Sequence, residues 1–173
     1  ENDGFVRQMD TLDVHEQTVS LLRPYGVWAV ISPFNFPLAL AAGPAGAALA
    51  TGNTGVFKPA SDTPVVGVKL YELAQEAGVP GGVLNVVTGT GNSVGQALID
   101  HPGVDGIVFT GSTAVGMKMI RDNAQRSLPR PLILEMGGKN PAIVMKTADL
   151  EKATALLTTF NEISQIARRN GER

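Results

Sequence analysis

The chain has 173 residues, 43% hydrophobic and 17% charged, which fits one globular domain with a real core and excludes a disordered segment. A formal net charge of −2 offers no footprint for nucleic acid, and Gly, Pro and polar residues interrupt every apolar run before membrane-spanning length. No cysteine is present and His15 and His101 stand apart, so neither disulfides nor a metal site is expected.

In chain order, Glu1 to Arg7 is acidic and mixed rather than signal-like, so the expected address is cytoplasmic. Residues 1–25 break the pattern that follows and read as an N-terminal arm. From 26 onward β-like runs alternate with helical ones. Residues 26–32 (GVWAVIS) form a predicted buried strand, and the Ala/Gly-rich run 37–52 a helix packed closely on a neighbour. A strand at 54–59 precedes a helix at 64–78 that Gly78 and Pro80 end. The runs 83–89, 93–101, 106–111 and 114–125 continue the alternation, and 131–138 and 141–145 are further predicted strands. From Asp149 a last helix carries Leu156, Leu157, Phe160, Ile163 and Ile166 at helical spacing. Short apolar strands between helices imply a doubly wound α/β domain over 26–173, its mostly parallel sheet covered by helices on both faces.

Ligands of such sheets bind beyond the carboxyl ends of the strands. Those ends carry Ser32-Pro33-Phe34-Asn35, Lys58-Pro59-Ala60-Ser61, the glycine turn 89–95, Gly111-Ser112, and Glu135-Met136-Gly137. Neither glycine run is a standard phosphate motif. Residues 89–95 read GxGxxxG, one residue longer than the dinucleotide fingerprint, and 111–116 lacks the Lys-Ser/Thr of a P-loop. Taken singly, each reads as a packing turn and Lys58 as a solvated strand-end lysine. A helix opening at Ser112 would still favour an anion.

Together SPFNFPL, FKPAS, FTGSTAVG and LEMGGKNPAIV, in this order and spacing from about Leu21 to Ala153, resemble the aldehyde dehydrogenase superfamily. NDGFVRQM and the wording of 24–46 are most similar to 1-pyrroline-5-carboxylate and related semialdehyde dehydrogenases. The resemblance implies that family's Rossmann-like NAD(P)-binding domain, with NAD or NADP lying across the strand ends. Asn35 would then be an oxyanion-hole amide and Glu135 the general base that activates water. Lys58 would hold ribose hydroxyls, Ser112 the pyrophosphate and Val115 the adenine face. Ile31, Pro33 and Phe34 would line the cofactor channel, and Gly91 and Gly95 would let the adenosine end approach the backbone. Ser32, Phe109, Gly111, Met136 and Gly137 complete the implied cofactor set. Ser61 stands where NAD-preferring members often carry glutamate, so NADP should be tolerated.

The family's chemistry also needs a cysteine thiolate, which by count should fall near Arg168 to Gly171. The sequence there reads RRNG, and the family pattern is left from about 156 to 173. Two readings follow: an oxidoreductase's cofactor domain, inactive alone, or a non-catalytic NAD(P)-binding or interaction module. A lysine- or carboxylate-based enzyme using the same cleft has no second activated group to support it. The expected partner is a nicotinamide dinucleotide, with an aldehyde only if a catalytic domain is supplied. No nucleic acid or membrane is expected, while exposed surfaces leave room for self-association.

Overall fold

The computed structural model of the chain describes residues 5–11, 13–138 and 141–158. Two short strands, β1 (Val6–Gln8) and β2 (Val19–Leu21), pair antiparallel as a separate ribbon whose every residue is exposed. They fall in the segment expected to stand outside the alternation.

The body is a five-stranded parallel sheet. Its strands are β3 (Val27–Ile31), β4 (Thr54–Lys58), β5 (Leu84–Val86), β6 (Gly106–Thr110) and β7 (Leu132–Glu135), in the order β5-β4-β3-β6-β7. The helices between them are α1 (Ala39–Ala50), α2 (Pro64–Glu76), α3 (Gln96–Asp100) and α4 (Thr113–Ala124). Alternation along β3 sends neighbouring side chains to opposite faces. Val30 joins Phe57, Leu84, Ala41 and Ala45, with Leu49, Leu70 and Ala74 of α1 and α2 packed on that cluster. Ala29 joins Ile107, Phe109 and Met119, with Leu98, Ile99 and Leu134 packed against them. Helices therefore cover both faces, and the doubly wound reading holds.

Close packing of α1 comes from its alanines. Ala41, Ala45 and Ala48 are its buried residues, whereas a Cβ on Gly43 or Gly46 would meet nothing within 4 Å. Residues 91–95 form a wide turn that runs directly into α3, with Thr90 Oγ1 accepting the Ser93 N–H at 3.2 Å. The extra residue of the GxGxxxG spacing is accommodated there.

Two sequence expectations need correction. Residues 141–145 do not form a strand. Ile143, Val144 and Met145 are all exposed, so these β-formers lack a neighbouring ladder and a core to face. Lys58 is no solvated lysine either, being 3% exposed. The final helix does form over 150–158, but Leu150, Leu156 and Leu157 are exposed in it. Phe160, Ile163, Ile166 and the 168–171 stretch lie outside the described residues.

The opposite, amino edge of the sheet is tied down by polar side chains. Asn53 Oδ1 accepts the Tyr25 and Gly26 N–H groups at 2.5 and 2.9 Å, and Asp105 Oδ2 accepts the Val27 N–H at 2.8 Å. Gly26 has φ +137°, and a Cβ there would collide with the Asp105 carboxylate, so only glycine fits. Arg130, 8% exposed, donates to the carbonyls of Val104 and Ile99 at 2.6 Å each and of His101 at 3.3 Å. Those carbonyls sit at and just beyond the end of α3, where a helix leaves acceptors unpaired and favours a cation.

Candidate functional site

Parallel register brings the strand ends to one edge. Ile31 lies opposite Lys58 and Phe109, Phe57 opposite Val86, and Thr110 opposite Glu135. Between β3 and β6 the connections leave for opposite faces, α1 on one and α4 on the other. This is the switch point of the sheet, where ligands of doubly wound folds bind.

Lys58 closes β4 at that edge. Its stem lies beside the 91–95 turn, since a Cβ on Gly95 would sit 3.7 Å from Lys58 Cε. Its ammonium donates to the Pro59 carbonyl at 3.0 Å, and among the described residues it forms no ion pair. Burial lowers its pKa from the usual 10.5. A sequestered cation with donors to spare suits hydroxyl or phosphate oxygens. Ser61, exposed one turn further on, donates its hydroxyl to the Gly89 carbonyl at 3.2 Å and clips the loop after β4 to the loop after β5.

Ser112 is the N-cap of α4, its Oγ accepting the Val115 N–H at 3.4 Å. The amides of Thr113 and Ala114 have no carbonyl within the helix to receive them, and no acidic side chain occupies this first turn. Val115 is exposed on the same turn. Gly111 sits directly over the Phe109 ring and donates its N–H to the Glu135 carbonyl at 3.0 Å. Phe109 itself is 6% exposed and belongs to the core.

Asn35 and Glu135 stand exposed on β6's two neighbours, one in the loop after β3 and the other ending β7. Neither side chain makes a hydrogen bond among the described residues. Ile31, Pro33 and Phe34 are half-buried along the way, Gly91 and Gly137 are exposed, and Met136 is half-buried against α4. Ser32 is 4% exposed and its hydroxyl has no partner among the described residues, while its N–H donates to the Lys58 carbonyl. The edge thus gathers a buried cation, open helix-start amides, an amide and a carboxylate. Such a set can hold a phosphate-bearing ligand and present a proton acceptor beside it.

Sequence reasoning did not single out Asn53, Asp105, Asn123 or Arg130. They are lone polar residues whose partners are distant backbone groups, and no local pattern announces that. The two concavities lined by Arg126 and Arg130 lie at their edge, away from the strand ends. Among the described residues no helix is long and apolar enough to cross a membrane, and no group of three His, Cys, Asp or Glu could hold a metal.

Known proteins share the sequence and the fold of this chain. The model of the aldehyde dehydrogenase family matches residues 4–164, reaching further at both ends than the motifs alone. A phenylacetaldehyde dehydrogenase of Pseudomonas fluorescens is 48% identical over 141 residues, covering 82% of this chain and 28% of that protein. A 1-pyrroline-5-carboxylate dehydrogenase of Anoxybacillus flavithermus is 51% identical over 135 residues, covering 75% and 26%. The crystal structure of an NAD-dependent aldehyde dehydrogenase from Sinorhizobium meliloti superposes with TM-score 0.77 at 40% identity, covering 86% of this chain and 29% of that one. The chain therefore spans about a quarter of the length of the curated relatives it matches.

Proposed function

This chain belongs to the aldehyde dehydrogenase family, and from that premise we propose that it is the NAD(P)-binding part of an aldehyde-oxidising enzyme. The observation that carries the reading is Lys58, a buried ammonium without a carboxylate partner among the described residues, beside the glycine turn that opens α3. Lys58 holds ribose hydroxyls, the open amides behind Ser112 take the pyrophosphate, and Val115 offers an apolar surface to the adenine. Gly91 and Gly95 keep the backbone close on the adenosine side, while Ile31, Ser32, Pro33 and Phe34 line the path toward the nicotinamide. Phe109, Gly111 and Gly137 shape the floor from below, and Met136 fixes the turn after Glu135.

When bound, the nicotinamide accepts a hydride. Asn35 donates its amide to the oxygen of the substrate carbonyl, where negative charge gathers. Glu135, at the open mouth, takes a proton from water. The nucleophilic thiol does not come from this sequence, which has no cysteine. An oxyanion donor and a base assist only after a nucleophile has added, so this chain alone does not oxidise aldehydes. The two curated relatives compared above are named for different substrates. A cytoplasmic setting suits a nicotinamide-dependent reaction.

Calorimetric titration of the 173-residue chain with NAD and NADP tests the first claim. Weak binding of both is expected, because Asn35, Ser61, Val115 and Glu135 are exposed in this chain. Absence of heat and of chemical-shift change at millimolar cofactor, from a demonstrably folded sample, would overturn it. Incubation with cofactor and short aldehydes, followed at the absorbance of the reduced nicotinamide, tests the second. Turnover that vanishes in Glu135→Gln would contradict it.

A further inference from the structure

Met136 directly follows Glu135 and lies on the first turns of α4. A Cβ built on Gly116 would run into Met136 Sδ and stand 3.0 Å from its Cγ, so the thioether rests on bare helix backbone. A Cβ on Gly137 would lie 3.5 Å from Thr113 Oγ1, so the following turn also touches the helix start. The Gly111 N–H to Glu135 carbonyl bond is the backbone tie beneath them. Among the described methionines, Met9, Met117 and Met145 are exposed and Met119 is 3% exposed in the core. Met136 differs from all four: it is half-buried and joins the turn after Glu135 to α4.

We propose that Met136 is an oxidation-sensitive latch: a peroxide converts its thioether to the sulfoxide, which frees the 136–138 turn from α4 and weakens cofactor binding at this edge. In the step a sulfur–oxygen bond forms as the peroxide O–O bond breaks. Sulfur is oxidised by two electrons and hydrogen peroxide is reduced to water, its proton passing to the departing oxygen. The sulfoxide is polar, demands hydration and carries one more heavy atom. Buried Gly116 offers neither water nor room. Only the binding consequence rests on the function proposed above; the release of the turn does not.

The test treats the 173-residue chain with hydrogen peroxide and locates sulfoxide at each methionine by mass spectrometry. Amide hydrogen exchange over 113–117 and 136–138 is then measured, and NAD is titrated before and after. With Met136 oxidised, exchange there rises at least tenfold and Kd at least threefold, and methionine sulfoxide reductase reverses both. Met136→Leu, whatever its starting affinity, shows neither change at the same dose, which separates the effect from oxidation of Met117. Unchanged exchange with Met136 fully oxidised overturns the latch, and so does a Met136 that stays reduced while Met9 and Met145 are oxidised. If the untreated chain binds no cofactor, the functional reading fails and the exchange rates decide the latch by themselves.

Discussion

The two edges of the sheet treat polar groups in opposite ways. At the amino edge each polar side chain of the tie is consumed: Asn53 by two backbone amides, Asp105 by another, Arg130 by three carbonyls. At the carboxyl edge, among the described residues, Lys58 has one carbonyl and no counter-charge, the Ser32 hydroxyl has no partner, and Asn35 and Glu135 face solvent. Unsatisfied buried groups cost free energy unless something binds them. The amino-edge tie holds the strands together, though Trp28 Nε1 and Arg126 Nε near it also lack a partner among the described residues, and the carboxyl edge keeps Lys58 and Ser32 for a ligand. Substitutions should therefore separate stability from binding according to the edge they touch.

The largest effect is expected at the amino edge. Arg130→Met leaves the carbonyls of Ile99 and Val104 without their donor and that of His101 with only the Val104 N–H, and Asn123 holds the Arg130 backbone at 2.9 and 3.1 Å in a loop shaped around that side chain. Burial, and then the neighbouring Arg126, lower the Arg130 pKa against the pull of Asp100 and Asp105, yet a guanidinium stays cationic. Loss of several buried hydrogen bonds at once costs about 3 kcal/mol, measured by urea unfolding. Cofactor affinity of the fraction that remains folded should be unchanged. A tenfold drop in that affinity would mean that the edges are coupled.

Lys58→Met sharpens the contrast from the other side. Cofactor affinity should fall about tenfold, roughly 1.4 kcal/mol, while stability at neutral pH should not fall. Removing an ammonium that is buried without a counter-charge relieves a desolvation cost. The pH dependence has a definite sign. Because folding lowers the Lys58 pKa below 10.5, the unfolded chain holds the extra proton through the window between the two values. Stability of the parent chain therefore rises with pH across that window, and any advantage of the variant narrows toward pH 10.5. A variant that melts earlier than its parent at pH 7 would make Lys58 a structural residue.

The sequence discloses these edges unequally. Strands such as 27–31 and 106–110 are continuous apolar runs, and the residues that follow each run can be lined up from the alternation of strands and helices alone. Residues 141–145 carry the same kind of side chains, but strand formation needs a neighbour, and composition does not encode one. Lys58 is misread when taken singly because its burial depends on Gly95, 37 positions away in another loop. The tie at Arg130 is hidden for a related reason, since its partners are main-chain carbonyls, which every residue has.

The smallest effect is expected at Ser61, and it tests which end of the ligand lies there. Its hydroxyl reaches only the Gly89 carbonyl at 3.2 Å and the residue is exposed, so Ser61→Glu should leave the fold intact. If the adenosine ribose lies between Lys58 and Ser61, the new carboxylate stands near the 2′ position. NAD presents a hydroxyl there, which a carboxylate can accept as a hydrogen bond. NADP presents a phosphate, and like-charge repulsion at a partly exposed site is on the order of 1 kcal/mol. The ratio of the NADP to the NAD dissociation constant should therefore rise about fivefold, and the excess should shrink with added salt. Equal losses for the two cofactors would move the ribose away from Ser61 and leave Lys58 to a different part of the ligand. A salt-insensitive difference would point to altered packing of the Gly89 loop rather than charge.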